Sequence, residues 1–363
     1  MGNLYFAYGS NLNLEHLHDW CRSHGFTAAE LHPKYQACLP DHELVFNYGS
    51  SRWDGGVLNL RRRPGQLVEG MVFEADEQTW KALDRKEGAP ACYERFEATV
   101  LCDGEELQVR TYRVVPDKTS DFVEPSSPYI EVVRKGLYDW KLRDTMLMAA
   151  ARGERPRHQV DGVFVYGTLM RGEGRFHLLE RYGLKCSLLA ETPGILLDLG
   201  DFPGIVFSRG PERWVQGEFC RIRRIEDAIR ILDQCEGFTG FGNAGSLYRR
   251  TLILVGVGEG RVRRAWTYVY NGPKDGSPII ECGDWRLFHG KKMPFLEGLC
   301  ATHAAGNEET IAQRLAARDM FADEHDRLVI ASKLLPLARA LEQGRFSERR
   351  LAQASGKWTV VPV

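Results

Sequence analysis

Apolar residues in this chain occur mostly in short runs separated by turn residues, with a smaller number of amphipathic segments between them. Residues 4–7 and 163–165 form two such runs, and each is followed by Tyr-Gly and a hydroxyl residue. This pattern is typical of a buried strand that ends in an abrupt turn, because glycine tolerates backbone conformations that other residues avoid. An amphipathic segment follows each run, at 14–20 and 176–182. The matching segments indicate an internal repeat.

A second pair of matching segments lies further along the chain. Residues 83–88 are Leu-Asp-Arg-Lys-Glu-Gly, and residues 232–237 are Leu-Asp-Gln-Cys-Glu-Gly. Each segment follows a helix-like stretch and precedes a tyrosine, Tyr93 or Tyr248, that opens a strand-like run. The tyrosine of Tyr-Gly and the glutamate of the second motif are 79 residues apart in the first copy and 70 in the second. Two motifs in the same order at similar separation predict a tandem duplication.

The remaining apolar runs are short and predict strands. Many short strands with few helices favour an α+β fold in which a mixed barrel or a highly curved sheet occurs twice. We divide the chain into a first domain at 1–138, a helical linker at 139–160, a second domain at 161–290 and a helical C-terminal extension at 291–363. The strand candidates are 44–48, 56–60, 69–73, 98–101 and 108–114 in the first copy, and 204–207, 215–220, 251–257 and 264–270 in the second.

Composition argues against several classes of protein. Lys and Arg number 48 and Asp and Glu number 49, so the net charge of −1 gives no electrostatic reason to expect nucleic acid or membrane partners. The nine cysteines are scattered and contain no Cys-x-x-Cys pair, so we expect a reducing cytoplasmic location without a disulfide framework. The histidines form no ligand pattern, so we expect no metal site. We find neither an 18-residue apolar window nor a signal peptide, so we expect no membrane span.

Two features of the repeat are candidates for chemistry. A Tyr-Gly loop can present successive backbone N–H groups to a carboxylate or an oxyanion, but a simple turn also explains it, and Tyr-Gly-Ser recurs at 48–50. Glu87 and Glu236 each precede a glycine at the end of a predicted helix. One such glutamate is common on a surface, whereas two of them, each paired with the loop and a downstream tyrosine, favour a function. In a partly apolar cleft their pKa would rise, so that they could exchange protons near neutral pH.

These motifs resemble those of a known enzyme family. Residues 4–138 resemble the γ-glutamylcyclotransferase family, and residues 161–289 resemble a related branch that includes avirulence-induced-gene-like proteins and γ-glutamylamine cyclotransferases. The matching elements of the first copy are Tyr8-Gly9-Ser10-Asn11, Gly55-Gly56-Val57-Leu58, the 83–88 motif, Tyr93, and Pro125-Ser126-Ser127-Pro128-Tyr129 leading to Gly136. Those of the second copy are Tyr166-Gly167-Thr168-Leu169, the stretch from Gly194 to Gly204, the 232–237 motif, Tyr248-Arg249-Arg250, and residues 265–270.

The resemblance implies two tandem small mixed β-barrels and an intramolecular reaction. The α-amine of a γ-glutamyl group attacks its own γ-carbonyl, which releases 5-oxoproline and a free amine or amino acid. The resemblance further implies that Glu87 and Glu236 act as general acid and base, that the partner is a small γ-glutamyl substrate, and that no cofactor is required. The substrate-binding residues that it implies are Tyr8, Gly9, Ser10, Asn11, Leu12, Tyr93 and Tyr129 in the first copy, and Tyr166, Gly167, Thr168, Leu169, Tyr248 and Tyr268 in the second.

Three alternatives remain open at this stage. One copy can be active while the other is regulatory or only binds a ligand. Both copies can be non-catalytic domains that bind a small carboxylate, since a fold does not prove an activity. A sister family that cyclises glutathione also looks similar, although Asn11 and the Pro-Ser-x-x-Tyr element point away from it. The released amine and the oligomeric state do not follow from the sequence.

Overall fold

The computed structural model describes residues 3–27, 29–207, 213–257, 261–273 and 276–290. The chain forms two compact units, Met1–Gln159 and Val160–Val363, called here the first unit and the second unit. Each unit contains a closed barrel of five strands together with helices, which confirms the predicted α+β fold of two β-barrels. The predicted helical extension at 291–363 lies outside the described residues.

The barrel of the first unit closes because one short strand pairs on both of its sides. Its strands are β1 (Leu4–Ala7), β2 (Leu31–Ser50), β3 (Gly55–Ala75), β4 (Tyr93–Cys102) and β5 (Glu105–Val114), in the spatial order β1-β3-β2-β4-β5. β1 is antiparallel to β3, and Tyr5 pairs in parallel with Arg110 of β5. The apolar interior places Phe6, Val72 and Phe73 at the centre of the core, each fully buried.

The hairpin of β2 and β3 is much longer than the sequence indicated. Its strands have 20 and 21 residues, and the predicted runs 44–48, 56–60 and 69–73 are parts of them. The register shifts between Pro40 and His42 and at two further points along β2. Each such irregularity reverses which side chains face the core, so the alternation of apolar and polar residues breaks even though the strand continues.

The helices of the first unit hold the loop that follows β1. They are α1 (Leu14–Ser23), α2 (Glu77–Glu87), α3 (Ser127–Asp139) and α4 (Thr145–Ala151). α3 approaches the loop closely, because a Cβ added to Gly136 would lie 2.6 Å from the backbone nitrogen of Asn13. Next to it, Nε1 of Trp140 donates a hydrogen bond of 2.9 Å to the carbonyl of Leu12. The loop is therefore fixed by the packing of α3 rather than by its own residues alone.

The segment 139–160, predicted to be a helical linker, contains α4 and packs on the first barrel. Nη1 of Arg63 on β3 donates a hydrogen bond of 2.7 Å to the carbonyl of Pro156. Nε2 of Gln66 on β3 donates another, of 3.0 Å, to the carbonyl of Arg157. These residues belong to the first unit, which extends to Gln159.

The second barrel repeats the arrangement with shorter strands. Its order is β10-β6-β12-β11-β7, and β8 and β9 form a separate two-stranded sheet. The strands are β6 (Gly162–Val165), β7 (Leu184–Pro193), β8 (Ile195–Asp198), β9 (Pro203–Val206), β10 (Trp214–Ile222), β11 (Tyr248–Val257) and β12 (Arg261–Tyr270). The sequence did not predict β7 or β8. The parallel bridge between Trp266 and Val163 closes this barrel as the Tyr5–Arg110 bridge closes the first.

Among the described residues of the second unit, the helices are short apart from one. They are α5 (His177–Arg181), α6 (Ile225–Cys235) and α7 (Trp285–Phe288). α6 buries Ile225, Ala228, Ile229 and Leu232 at helical spacing, so one face of this helix packs on the barrel. Across both units, none of the described helices is long and apolar enough to span a membrane.

Candidate active sites

The two predicted site elements of the first unit meet at the end of α2. The helix begins with Asp76, whose Oδ1 accepts a hydrogen bond of 2.7 Å from the N–H of Thr79, and it ends at Glu87 because Gly88 adopts a left-handed conformation with a φ of 66°. Nδ2 of Asn11, in the loop after β1, donates a hydrogen bond of 2.9 Å to Oε1 of Glu87. The same amide donates to the hydroxyl of Tyr5 at 2.8 Å. The loop thus orients the predicted catalytic carboxylate directly.

A buried lysine also links the loop to this carboxylate. Nζ of Lys86 donates a hydrogen bond of 3.1 Å to Oγ of Ser10 and lies 3.9 Å from Oε1 of Glu87. Burial lowers the pKa of Lys86, while the negative charge of Glu87 acts in the opposite direction. This cation was not among the predicted site residues, although it stands inside the 83–88 motif.

Three predicted tyrosines of the first unit are buried, and two of them form hydrogen bonds with the backbone of one residue of β3. The hydroxyl of Tyr93 donates a hydrogen bond of 2.7 Å to the carbonyl of Leu58, and the hydroxyl of Tyr129 accepts one of 3.1 Å from the N–H of Leu58. Tyr8 donates to the carbonyl of Tyr112 at 2.8 Å. Burial raises the pKa of Tyr8, Tyr93 and Tyr129, and the charge of Glu87 raises it further, so all three remain neutral phenols.

Tyr129 lies in the first turn of α3, which begins within the Pro-Ser-rich stretch at 125–128. The residue is 4% exposed, so it is not part of a surface loop. A Cβ added to Gly9 would lie 3.9 Å from the Tyr129 hydroxyl, which places the ring beside the Tyr-Gly loop. Leu12 is different, since its side chain is fully buried in the core and does not face the loop's open side.

Cations and aromatic rings surround the first site. The guanidinium of Arg52 lies 5.8 Å from the ring centroid of Trp20 and 5.6 Å from that of Trp53. His16 packs against Trp53 at 5.4 Å between ring centroids. Burial lowers the pKa of His16 to about 4, and the nearby charges of Lys86 and Arg52 act in the same direction. His16 is therefore neutral at physiological pH.

The second unit forms a cleft at the corresponding place. Glu236 directly follows α6, and its N–H donates a hydrogen bond of 2.9 Å to the carbonyl of Leu232. The cleft has a volume of about 190 Å³. Burial raises the pKa of Glu236 to about 7, and the positive charge of Arg175 opposes this rise. Every residue predicted for the second site lines the cleft, namely Tyr166, Gly167, Thr168, Leu169, Glu236, Tyr248 and Tyr268. The other lining residues are Phe164, Val165, Arg175, Phe202, Pro203, Cys235 and Leu247.

The tyrosines of the second cleft repeat the hydrogen bonds of the first site. Tyr166 donates to the carbonyl of Tyr268 at 2.6 Å, as Tyr8 does to Tyr112. Tyr248 donates to the carbonyl of Pro203 at 2.7 Å, much as Tyr93 donates to β3. The repeat therefore extends to individual side-chain contacts, which the sequence motifs alone did not reveal.

A further network behind each site was missed from the sequence. Tyr112 donates a hydrogen bond of 2.7 Å to Asp84, which also pairs with Arg95. In the second unit the corresponding residues are Tyr268, Asp233 and Arg250, with a hydrogen bond of 2.8 Å and an ion pair of 3.2 Å. Each aspartate stands three residues before the site glutamate. A Thr-Tyr dipeptide in β5 and in β12 was the signal that could have revealed this network.

Arg250 also contacts the glycine-rich segment at 237–245, which directly follows Glu236. This arginine is fully buried, and its guanidinium lies 5.1 Å and 5.0 Å from the ring centroids of Phe238 and Phe241. The N–H of Leu247 donates a hydrogen bond of 3.0 Å to the carbonyl of Gly237, which closes the segment at its base. The segment at 237–245 is therefore packed against the barrel through cation–π contacts.

The two Tyr-Gly loops share their backbone conformation at the turn. Leu12 and Met170 each donate a hydrogen bond of 2.9 Å to the carbonyl of the loop glycine, three residues earlier. The N–H groups of Ser10 and Asn11 have no acceptor among the residues that the structure describes. Backbone donors in such a turn are suited to bind an anion or an oxyanion.

The two sites differ in their side chains at equivalent positions. Asn11 corresponds to Leu169, so the second glutamate receives no amide hydrogen bond from that loop position. Lys86 corresponds to Cys235, whose thiol accepts a hydrogen bond of 3.4 Å from Nη1 of Arg175. Each glutamate thus has a cation beside it, but the cations come from different elements.

Both units, each with a Tyr-Gly loop and a glutamate at a helix end, match one enzyme family. Residues 5–131 and 163–287 match the sequence model of the family described as "Gamma-glutamyl cyclotransferase, AIG2-like", and the chain belongs to this family. The model matches once in each unit, as the predicted duplication requires.

Individual relatives carry the same description. The chain is 32% identical over 139 residues to the gamma-glutamylcyclotransferase of Bos taurus, and the aligned region covers 37% of this chain and 69% of the relative. It is 33% identical over 127 residues to the gamma-glutamylcyclotransferase family protein YtfP of Escherichia coli K12, and the aligned region covers 34% of this chain and 94% of the relative. A solved structure titled "Gamma-glutamyl cyclotransferase" is 26% identical, with a TM-score of 0.36 and coverage of 43% of this chain and 90% of that chain. The family and the curated relatives indicate an activity of the γ-glutamylcyclotransferase type.

Proposed function

We propose that the protein is an intramolecular cyclotransferase that releases 5-oxoproline and a free amine or amino acid from small γ-glutamyl conjugates, with Glu87 and Glu236 as the acid and base of two separate sites. The observation that carries the proposal is the repeated meeting of a Tyr-Gly loop with a glutamate at a helix end. In the first unit the hydrogen bond between Asn11 and Glu87 joins the two elements. In the second, Gly167 and Glu236 line one cleft.

The proposed reaction moves protons from the α-nitrogen of the substrate to the nitrogen that leaves. The glutamate accepts a proton from the α-ammonium, and the freed amine forms a bond to the γ-carbonyl carbon. The tetrahedral intermediate then collapses as the old carbon–nitrogen bond breaks, and the glutamate returns its proton to the leaving nitrogen. The ring nitrogen loses its second proton, which the basic leaving amine takes up, so that 5-oxoproline and an ammonium result. The pKa of about 7 for Glu236 suits this double role, because both protonation states are populated near neutral pH.

The other groups of each site bind and orient the substrate. The free N–H groups of the Tyr-Gly loop would donate hydrogen bonds to the oxyanion that forms at the γ-carbonyl. The buried tyrosines form the walls of a pocket that holds the γ-glutamyl group of the substrate in a bent conformation. Ring closure depends mainly on this orientation of the α-amine towards the γ-carbonyl. In this proposal no step needs a redox or group-carrying cofactor.

The test is 5-oxoproline release from a panel of γ-glutamyl amino acids, γ-glutamyl amines and glutathione. Wild-type protein would be compared with Glu87→Gln, Glu236→Gln and the double variant, each of which keeps the side-chain volume and removes the proton-transfer group. Glu77→Gln on the exposed first turn of α2 and Glu180→Gln on α5 are matched controls for loss of charge. Wild-type activity in the double variant would refute the mechanism, and loss of activity in either control would show that charge alone matters.

A second candidate is one active unit combined with a unit that only binds a γ-glutamyl ligand. The differences at Asn11 and Lys86, and the absence of a matched Tyr129 in the second copy, favour this division. If only one unit turns over, we expect it to be the first, whose pocket motifs are more complete. The single variants decide, since this candidate requires that Glu236→Gln leaves the rate unchanged.

A further inference from the structure

Arg175 lies in the cleft of the second unit, between the Tyr-Gly loop and α5. Its backbone N–H donates a hydrogen bond of 2.9 Å to the carbonyl of Thr168, which ties the residue to the loop. It lines the same cleft as Glu236, and Nη1 donates to Sγ of Cys235 at 3.4 Å. Its charge also acts on the pKa of Glu236. The guanidinium is thus held beside the glutamate proposed as acid and base.

The guanidinium of Arg175 has donors to spare. Within the described part of the chain it forms no ion pair with a carboxylate, and a thiol is a weak hydrogen-bond acceptor. The cations buried in this unit are paired, Arg250 with Asp233 and Arg286 with Glu218 at 3.2 Å and 2.6 Å. A guanidinium has five N–H donors in a planar fork that fits a carboxylate. Arg175 can therefore bind a carboxylate that a ligand brings into the cleft.

The position of Arg175 shows which part of a ligand it can reach. Tyr166, Tyr248 and Tyr268 line the cleft as buried residues, whereas Arg175 lines it as an exposed residue. In the proposed reaction the α-nitrogen and the γ-carbonyl must both reach Glu236, so we place the part that closes into a ring beside Glu236 and the buried tyrosines. We place the leaving group towards solvent, where the exposed Arg175 can contact it.

We propose that Arg175 binds the carboxylate of the amino acid that leaves, so that the second unit acts on γ-glutamyl amino acids in preference to uncharged γ-glutamyl amines. This inference rests on the proposed function of the second unit and adds its substrate class. The sequence alone did not determine which amine or amino acid is released. The contact makes Arg175 a specificity-determining residue, since it touches the substrate away from the reacting atoms.

The first unit places its cation differently. Lys86 is buried, and its ammonium is directed at Ser10 of the loop and at Glu87. The second unit has Cys235 at that position, and its cation is the exposed Arg175, which follows the Tyr-Gly loop in the chain. An exposed cation can contact a leaving group that points to solvent, whereas a buried cation cannot.

The test uses the full chain with Glu87→Gln, so that turnover reports the second unit. Its substrates are γ-glutamylalanine and γ-glutamylalaninamide, which differ only in whether the leaving group carries a carboxylate or a neutral amide. Arg175→Gln is expected to lower kcat/KM for γ-glutamylalanine roughly tenfold to a hundredfold, mainly through KM, because a hydrogen-bonded charge pair is lost. Both compounds are compared on the high-pH plateau, where Glu236 is ionised in both proteins, and there the value for γ-glutamylalaninamide should stay nearly unchanged. Arg175→Lys should retain part of the preference, and Arg230→Gln, on α6 and paired with Glu226, is the control for loss of charge.

The other possible results would overturn either the role of Arg175 or the proposed function of the second unit. An equal loss with both compounds would overturn the proposal, because Arg175 would then bind the α-carboxylate that both compounds share. No loss with either would overturn it as well. If the Glu87→Gln protein releases no 5-oxoproline from either compound, the proposed function of the second unit fails. Calorimetric binding of both compounds to the Glu87→Gln protein with and without Arg175→Gln then decides the carboxylate contact independently, and an unchanged affinity ratio would refute it.

Discussion

The amide of Asn11 donates a hydrogen bond of 2.9 Å to Oε1 of Glu87 and so connects the loop after β1 to the end of α2. The two residues are 76 positions apart in the chain. In the second unit Leu169 stands where Asn11 does in the first, so the two candidate sites orient their glutamates by different means.

Replacing Asn11 should therefore impair only the first site. We expect Asn11→Leu, measured in the Glu236→Gln background, to lower kcat roughly five- to thirtyfold, because about 1 to 2 kcal/mol of orienting hydrogen bond is lost. The measurement is steady-state 5-oxoproline release. In the Glu87→Gln background the same substitution should leave the rate of the second unit intact, and a loss there would contradict the assignment of Asn11 to one site.

The pH dependence of the second site should follow Glu236. Its pKa is raised to about 7, and only the ionised form accepts the proton of the α-ammonium, so kcat/KM should rise as pH increases through about 7. Arg175 opposes the rise in pKa, so Arg175→Gln should move this limb of the profile to higher pH. A pH profile in the Glu87→Gln background checks both expectations, and a flat profile between pH 5.5 and 8.5 would argue against Glu236 as the base.

The same shift in pKa has a consequence for stability. A glutamate whose pKa is higher in the folded than in the unfolded state favours folding at low pH, and this contribution is lost as pH rises through the folded-state value of about 7. Glu236→Gln should therefore stabilise the protein relative to wild type more at pH 8.5 than at pH 5.5. Thermal unfolding at the two pH values measures the difference, and the control Glu180→Gln should show no such trend.

The aspartates behind the two sites should differ in their effect on stability. Asp233 pairs with Arg250, which is fully buried, whereas Asp84 pairs with Arg95, whose side chain is 32% exposed. Removing the carboxylate beside a buried cation leaves a charge without compensation, so Asp233→Asn should cost about 3 to 5 kcal/mol in the free energy of unfolding. Asp84→Asn should cost about 1 kcal/mol or less through the ion pair, because water can solvate Arg95. Urea denaturation of both variants makes the comparison, and equal losses would contradict it.

The close contact of α3 with the loop after β1 predicts that a larger residue at position 136 disturbs the first unit. A Cβ on residue 136 would lie 2.6 Å from the backbone nitrogen of Asn13, which cannot move without displacing the loop. Gly136→Ala should therefore lower both the melting temperature and the activity of the first unit. Gly49→Ala is the matched control, since its Cβ would meet only Val123 at 3.8 Å, an ordinary contact. Equal effects of the two substitutions would show that the fit of α3 on the loop is not the cause.

Local patterns in the sequence were sufficient to locate the elements that carry chemistry. Asp76 and Gly88 mark the two ends of α2 through capping preferences that act within one helical turn, and Gly237 does so after α6. The apolar runs before the two Tyr-Gly pairs also predicted their structure correctly, because they form β1 and β6. The lengths of the strands could not be predicted from the sequence, because the bulge at Pro40 interrupts the alternating pattern of apolar and polar residues inside β2.

The sequence by itself determined that one motif set occurs twice and that Glu87 and Glu236 end helices, because these features depend on neighbouring residues. The tertiary structure decided which side chains meet. Asn11 reaches Glu87, and Arg175 reaches Cys235 across 60 residues, only because closure of each barrel brings the loop after its first strand to the end of a later helix. Such contacts depend on strand order and register, which are set by the packing of the whole barrel and not by spacing along the chain.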